Sequence, residues 1–140
     1  MKDITVFSKY KVTITNLFYL LVYSDGSANG KELLYGQQMI ATEGILESDF
    51  KSQIDEASTK NASTLLLESI SSMKCINRDQ QIRVIAWLCV VANADGFMDR
   101  AEWQMIYRIY HKELGLPLDE IIKLQKELAR NIQLIPSAGI

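Results

Sequence analysis

The sequence predicts an all-α fold of about seven helices in a single domain, residues 1–140, built from two pseudo-repeated helical units, about 6–57 and 77–130. Three observations carry this reading. Only two prolines occur, Pro117 and Pro136, so nothing in the first 116 residues forces a helix to break. Apolar residues recur at helical spacing throughout, and no stretch alternates with period two between glycine-rich turns. Lastly, one acidic turn is written twice, as "YSDGSANGKELL" at 23–34 and "ANADGFMDRAEW" at 92–103. At an offset of 70, Leu20-Leu21 meets Val90-Val91, Asp25-Gly26 meets Asp95-Gly96, Asn29 meets Asp99 and Glu32 meets Glu102. Gly44-Ile45 meets Gly115-Leu116 after one inserted residue. A repeat of this kind implies two copies of one helical unit, each covering the other's apolar face.

The elements follow in order. The first helix runs from about Val6 to Tyr23 and ends at Asp25-Gly26. Asn29 caps the second, which runs to Glu43; Gly44 supplies a left-handed stop, with Ile45 as its apolar follower. Ser48 caps a short third helix that shows Phe50, Ile54 and Ala57 on one face. Asn61 or Ser63 opens the fourth, which ends near Lys74. Asn77 caps the fifth, whose end is apolar all round and therefore central. Asp99 caps the sixth, with Trp103, Ile106, Tyr107, Tyr110 and Leu114 at helical spacing, and Gly115-Leu116 stops it. Pro117 starts the seventh, which buries a subset of Leu118, Ile121, Ile122, Leu124 and Leu128; the tail "QLIPSAGI" frays.

A chain of 140 residues is long enough to bury a proper core. A net charge of −2 and the lack of a basic arm argue against a nucleic-acid partner. Cys75 and Cys89 fit no zinc or redox spacing, and their apolar surroundings predict two buried free thiols in a reducing compartment. The longest apolar run, "LFYLLVY" at Leu17–Tyr23, is far too short to span a membrane. Thr13, Thr15 and Asn16 interrupt it as a leader, and its counterpart "WLCVVA" lies mid-chain. Both read as buried helix ends, and a cytoplasmic protein is expected. The sequence carries no signal for an oligomeric state.

The acidic turns support two readings. In the first they are structural. Asp-Gly is a turn pair, and Asn29-x-x-Glu32 and Asp99-x-x-Glu102 are capping boxes. In the second they hold a divalent cation, because hard cations collect several oxygens around a glycine turn. "NADGFMDRAE" follows the calcium-loop pattern from Asn93 through Asp95, Gly96 and Glu102. The first ligand of that loop, however, falls on Val91, and the matching places of the first copy hold Leu21 and Tyr23. A complete calcium loop is excluded, and a weaker partial site remains. Capping does not need the Asp of Asp-Gly, so two such pairs in register keep both readings open.

Helix, "ADG", cap and Glu, twice in about 140 residues, resembles the tellurite-resistance TerB family. It is also similar to the N-terminal module of membrane-anchored DnaJ-like co-chaperones. "VANADGFMDRAEW" matches the second family motif, and "VYSDGSANGKEL" matches the first with Asn29 where an acid is common. The resemblance covers nearly the whole chain. It implies a seven-helix fold of two pseudo-repeats in which the acids of the two turns cluster around a metal. Carried over, these are Asp25 and Glu32, then Asp95, Asp99 and Glu102, with Ca2+ or another divalent cation as cofactor. The implied role is bacterial resistance to tellurite and other stress, through metal sensing and protein partners. No J-domain segment accompanies the module, so a co-chaperone role is not expected.

The other chemistry-bearing residues are weaker candidates. His111, the single histidine, sits where a cation suits the end of the sixth helix and lacks a His or Cys at i+4. Trp87, Trp103, Tyr107 and Tyr110 read as core first, and as a partner groove beside the acidic turns second. Two functional classes stand: a non-catalytic metal-responsive binding module, and a hydrolase-type enzyme that uses clustered carboxylates on a bound cation. The binding module is preferred, since no nucleophile has a base beside it and no glycine loop cradles phosphate.

Overall fold

The computed structural model of the chain describes residues 8–23, 30–94 and 100–138, with side chains as far as residue 132. The described residues form α1 (Lys9–Tyr23), α2 (Gly30–Glu43), α3 (Glu47–Ser58), α4 (Ala62–Met73), α5 (Arg78–Ala92), α6 (Arg100–Tyr107) and α7 (Leu118–Ala138); α6 continues as a π-helix over Arg108–Glu113. No strand occurs among them. The all-α architecture of seven helices is as the sequence predicts.

Two helices form the centre. α1 buries Ile14, Leu17, Phe18, Leu20 and Leu21, and α5 buries an unbroken run from Val84 to Ala92. A helix that is apolar on most sides must be surrounded. Accordingly α3 and α4 pack on α1, α2, α6 and α7 pack on α5, and α1 packs on α5. The run "WLCVVA" is buried throughout, as expected, and "LFYLLVY" is buried except at Tyr19, which is half-buried, and Tyr23, which is exposed.

Local chemistry sets the helix ends. Lys11 N–H donates to Ser8 Oγ at 3.3 Å, and α1 as described starts at Lys9; the expected start at Val6 lies outside the described residues. Asn61 caps α4 by accepting from the amides of Ser63 and Thr64. Asn77 and Gln80 cap α5 reciprocally: Asn77 Oδ1 accepts from Gln80 N–H at 2.8 Å, and Gln80 Oε1 accepts from Asn77 N–H at 3.2 Å. Asn77→Ala should therefore lower stability by about 1 kcal/mol, measured as the urea midpoint; an unmoved midpoint would place the helix start elsewhere. The caps expected at Asn29 and Asp99 lie outside the described residues.

α3 differs from expectation. Its N-cap is Leu46, without a side-chain cap, and Ser48 lies inside the helix. The stop before it explains this. Gly44 takes φ +71° and Ile45 N–H closes back on Ile40 O at 2.9 Å. Burial of Ile45 then leaves one residue before the next helix, and Glu47 and Asp49 place negative charge at its start. Phe50 and Ala57 point inward as predicted, with Ile54 half-buried.

The second stop is wider. Gly115 takes φ +62°, but Leu116 N–H reaches Tyr110 O, six residues back, at 2.8 Å. Arg100–Glu113 spans the same length as Gly30–Glu43 at the 70-residue offset, while the glycines are offset by 71. The inserted residue is thus Leu114, directly after the π-helix, in the wide turn that Leu116 N–H closes on Tyr110 O. Two further expectations are corrected. Cys75 is exposed in the turn after α4, where Ile76 takes the inward position, and only Cys89 is buried. α7 does not fray at residue 133, for its backbone stays helical to Ala138. Within α7, Ile121 and Leu128 are buried and Leu124 half-buried, whereas Leu118 and Ile122 face solvent.

Candidate functional site

Of the five acids nominated from the sequence, Asp25, Asp95 and Asp99 lie outside the described residues. Glu32 and Glu102 are described, and they occupy the same position, third in α2 and third in α6. They are 7% and 8% exposed, and no other charged residue among those described is as fully buried over its whole surface. Both helices pack on α5. Burying a carboxylate is costly unless something compensates its charge. The positive end of a helix dipole does so in part, a cap amide adds to it, and a hard cation would add more. Among the described residues no group of three His, Cys, Asp or Glu side chains is placed to hold a metal. Val91, where a full calcium loop would need its first ligand, is wholly buried in α5, in keeping with the exclusion of that loop.

Exposed apolar residues lie beside these acids. Leu33 and Trp103 each follow their buried Glu and share the repeat register; both are exposed, Trp103 by 39%. The core reading of the aromatic set therefore holds for Trp87 and Tyr110, which are buried, and fails for Trp103. The position after an inward-facing Glu turns away from α5. Trp103 packs near Tyr107 and Tyr110, with ring centroids 5.9 and 6.1 Å apart. His111 is at the surface as expected, stacked on Tyr107 at 4.7 Å.

A second polar centre was not anticipated. Glu43, the last residue of α2, has a side chain only 5% exposed. Arg83 Nε donates to both its oxygens at 2.8 and 2.9 Å, and Arg83 Nη2 donates at 2.7 Å. Trp87 Nε1 donates at 2.9 Å and the Tyr10 hydroxyl at 2.6 Å. Lys11 Nζ reaches the carbonyl of Gly44 at 3.0 Å. Burial alone would raise the Glu43 pKa, but the hydrogen bonds from Arg83, Tyr10 and Trp87 outweigh it and hold the carboxyl below its ordinary range. Burial, reinforced by the Glu43 charge, raises the Tyr10 phenol above its ordinary value. The centre joins α1, α2 and α5. Two signals for it exist in the sequence: an acid at the wrong end of a helix dipole, and a buried tryptophan whose N–H requires an acceptor. Neither signal names the partner.

Compared with known proteins, residues 11–126 match the family described as "Tellurite resistance protein TerB". Neither a search of the curated proteins nor a search of the solved structures finds a match.

Proposed function

The chain belongs to the TerB family of tellurite-resistance proteins, and from that membership we propose a non-catalytic, divalent-cation-responsive module that acts in the cytoplasm on protein partners in a stress response. The observation that carries the reading is the matched burial of Glu32 and Glu102 in the first turns of α2 and α6. Their carboxylates are hard oxygen donors. Two such donors are fewer than the six to eight oxygens calcium takes. Asp25, Asp95 and Asp99 in the adjoining segments, with water, would complete the set.

The non-catalytic reading draws on two observations. Burial pushes the Cys89 thiol up to about 12, so it carries no thiolate at neutral pH. His111 lies stacked on Tyr107 at the surface. As for the compartment, no helix among the described residues is long and apolar enough to cross a membrane.

The test is thermal. Metal at a hundredfold excess over Kd adds about 2.7 kcal/mol to the folded state, which raises Tm by roughly 8 °C in a domain of this size. Asp95→Asn is expected to keep the fold and lose most of that gain. Calcium, zinc and manganese are titrated separately into chelator-treated protein. If no metal moves Tm, or if the variant gains as much as the native chain, the acids are helix caps only.

A further inference from the structure

α6 and its π extension bury Glu102, Ile106, Ile109 and Tyr110 toward the core. The opposite face carries two parallel stripes at four-residue spacing. One is aromatic, with Trp103 and His111 exposed and Tyr107 half-buried between them. The other is basic, with Arg100 and Lys112 exposed and Arg108 half-buried, and Gln104 holds the place between Arg100 and Arg108. Arg108 is held only loosely, by Glu113 at 3.5 Å, and its side chain remains 43% exposed. Three cations on one face stand out in a chain whose net charge is −2.

We propose that this face of α6 docks an acidic segment of a partner protein. The inference rests on the adaptor reading above and gives that partner its chemistry. Trp, Tyr and Arg are the residues enriched at the energetic centres of interfaces, and here all three lie within three turns of one helix. Charge complementarity selects the occupant. A segment of Asp or Glu would meet Arg100, Arg108 and Lys112, while an apolar side chain within it covers Trp103.

The geometry of the rings favours a peptide over a nucleic acid. Base stacking requires open ring faces. One face of Tyr107 is already covered by His111, with ring planes 23° apart, and Tyr110 abuts Tyr107 edge-on at 90°.

The experiment measures the anisotropy of three fluorescent probes against the full chain. The probes are a short amphipathic peptide of Glu with Leu and Phe, the same peptide with Lys for Glu, and a single-stranded DNA oligonucleotide. The acidic peptide is expected to bind and the lysine peptide to bind at least about tenfold more weakly. Trp103→Ala should cut the affinity about tenfold or more, and Arg100→Glu with Arg108→Glu should reverse the preference to the lysine peptide. Leu67→Ala, an exposed apolar residue on α4, should change nothing. Equal binding of the two peptides, undiminished binding by Trp103→Ala, tighter binding of the oligonucleotide, or no binding of any probe overturns the proposal. The metal-induced rise in Tm is read in parallel on native protein and Trp103→Ala. If that rise persists in both while no peptide binds, only this face is wrong. Peptide binding without any rise refutes the metal reading and leaves the docking face standing.

Discussion

Glu43→Ala is expected to destabilise the protein by roughly 3–5 kcal/mol, the largest loss from any single polar substitution considered. The carboxylate receives donors from three other residues on two other helices. Its removal leaves the Trp87 indole N–H and the Tyr10 hydroxyl without their acceptor, at about 1–3 kcal/mol for each buried group. Arg83, whose side chain is about a third exposed, recovers part of its solvation and limits the total. Glu43→Gln keeps an acceptor but loses the charge, and should fall between the native protein and Glu43→Ala. The pH dependence has a definite sign. The folded-state pKa lies below the ordinary value of 4.5, so Glu43 contributes its stability in full above that value and loses it as pH falls through the folded-state pKa. Glu43→Gln should thus lose less stability between neutral and strongly acidic pH than the native protein. Urea unfolding across that range provides the measurement, and parallel losses in the two proteins would contradict the account.

Gly36→Val should cost about 2–3 kcal/mol. A Cβ at Gly36 would stand 2.5 Å from Phe18 Cζ and 2.7 Å from Phe18 Cε1, inside any real contact distance. The ring cannot withdraw easily, because Phe18 is fully buried and packs against Phe50 with centroids 5.5 Å apart. Gly36→Ala is milder, since alanine recovers about 1 kcal/mol of helix propensity. Phe18→Leu shortens the obstructing side chain. A double-mutant cycle of Gly36→Val with Phe18→Leu should therefore show losses well below additive. Additive losses would mean that the ring moves aside without cost.

The features that sequence made legible are local ones. Asn61 and Asn77 cap because a side-chain oxygen two or three residues from an amide suffices. Gly44 and Gly115 stop helices because only glycine takes positive φ freely. The central place of α1 and α5 followed from runs with no polar face. Features that depend on distant residues were not legible. Glu43 and Arg83 are separated by 40 residues and neither announces the other. Gly36 looks like a weak helix residue until Phe18 is set against it. Trp103 and Ile106 share one spacing pattern, and only the packing of α6 on α5 decides which turns inward. For the acidic turns, sequence register placed Glu32 and Glu102 as counterparts, and their equal burial agrees with that register. Both uses of that burial, capping and cation binding, place the same side chain at the same corner.

The π-helix over Arg108–Glu113 bears on how this chain could change length. Adding one residue to an α-helix rotates everything beyond it by about 100°, which would swing the following apolar side chains out of the core. Here the extra residue is absorbed in the wide turn directly after the π-helix, and Tyr110, Leu116 and Ile121 all stay inward. An insertion at this place is nearly silent to the packing downstream, whereas the same insertion in α5 would rotate the most buried helix out of phase. Among relatives of this protein, single-residue length differences should therefore collect between α6 and the Gly115 stop, and seldom within α1 or α5.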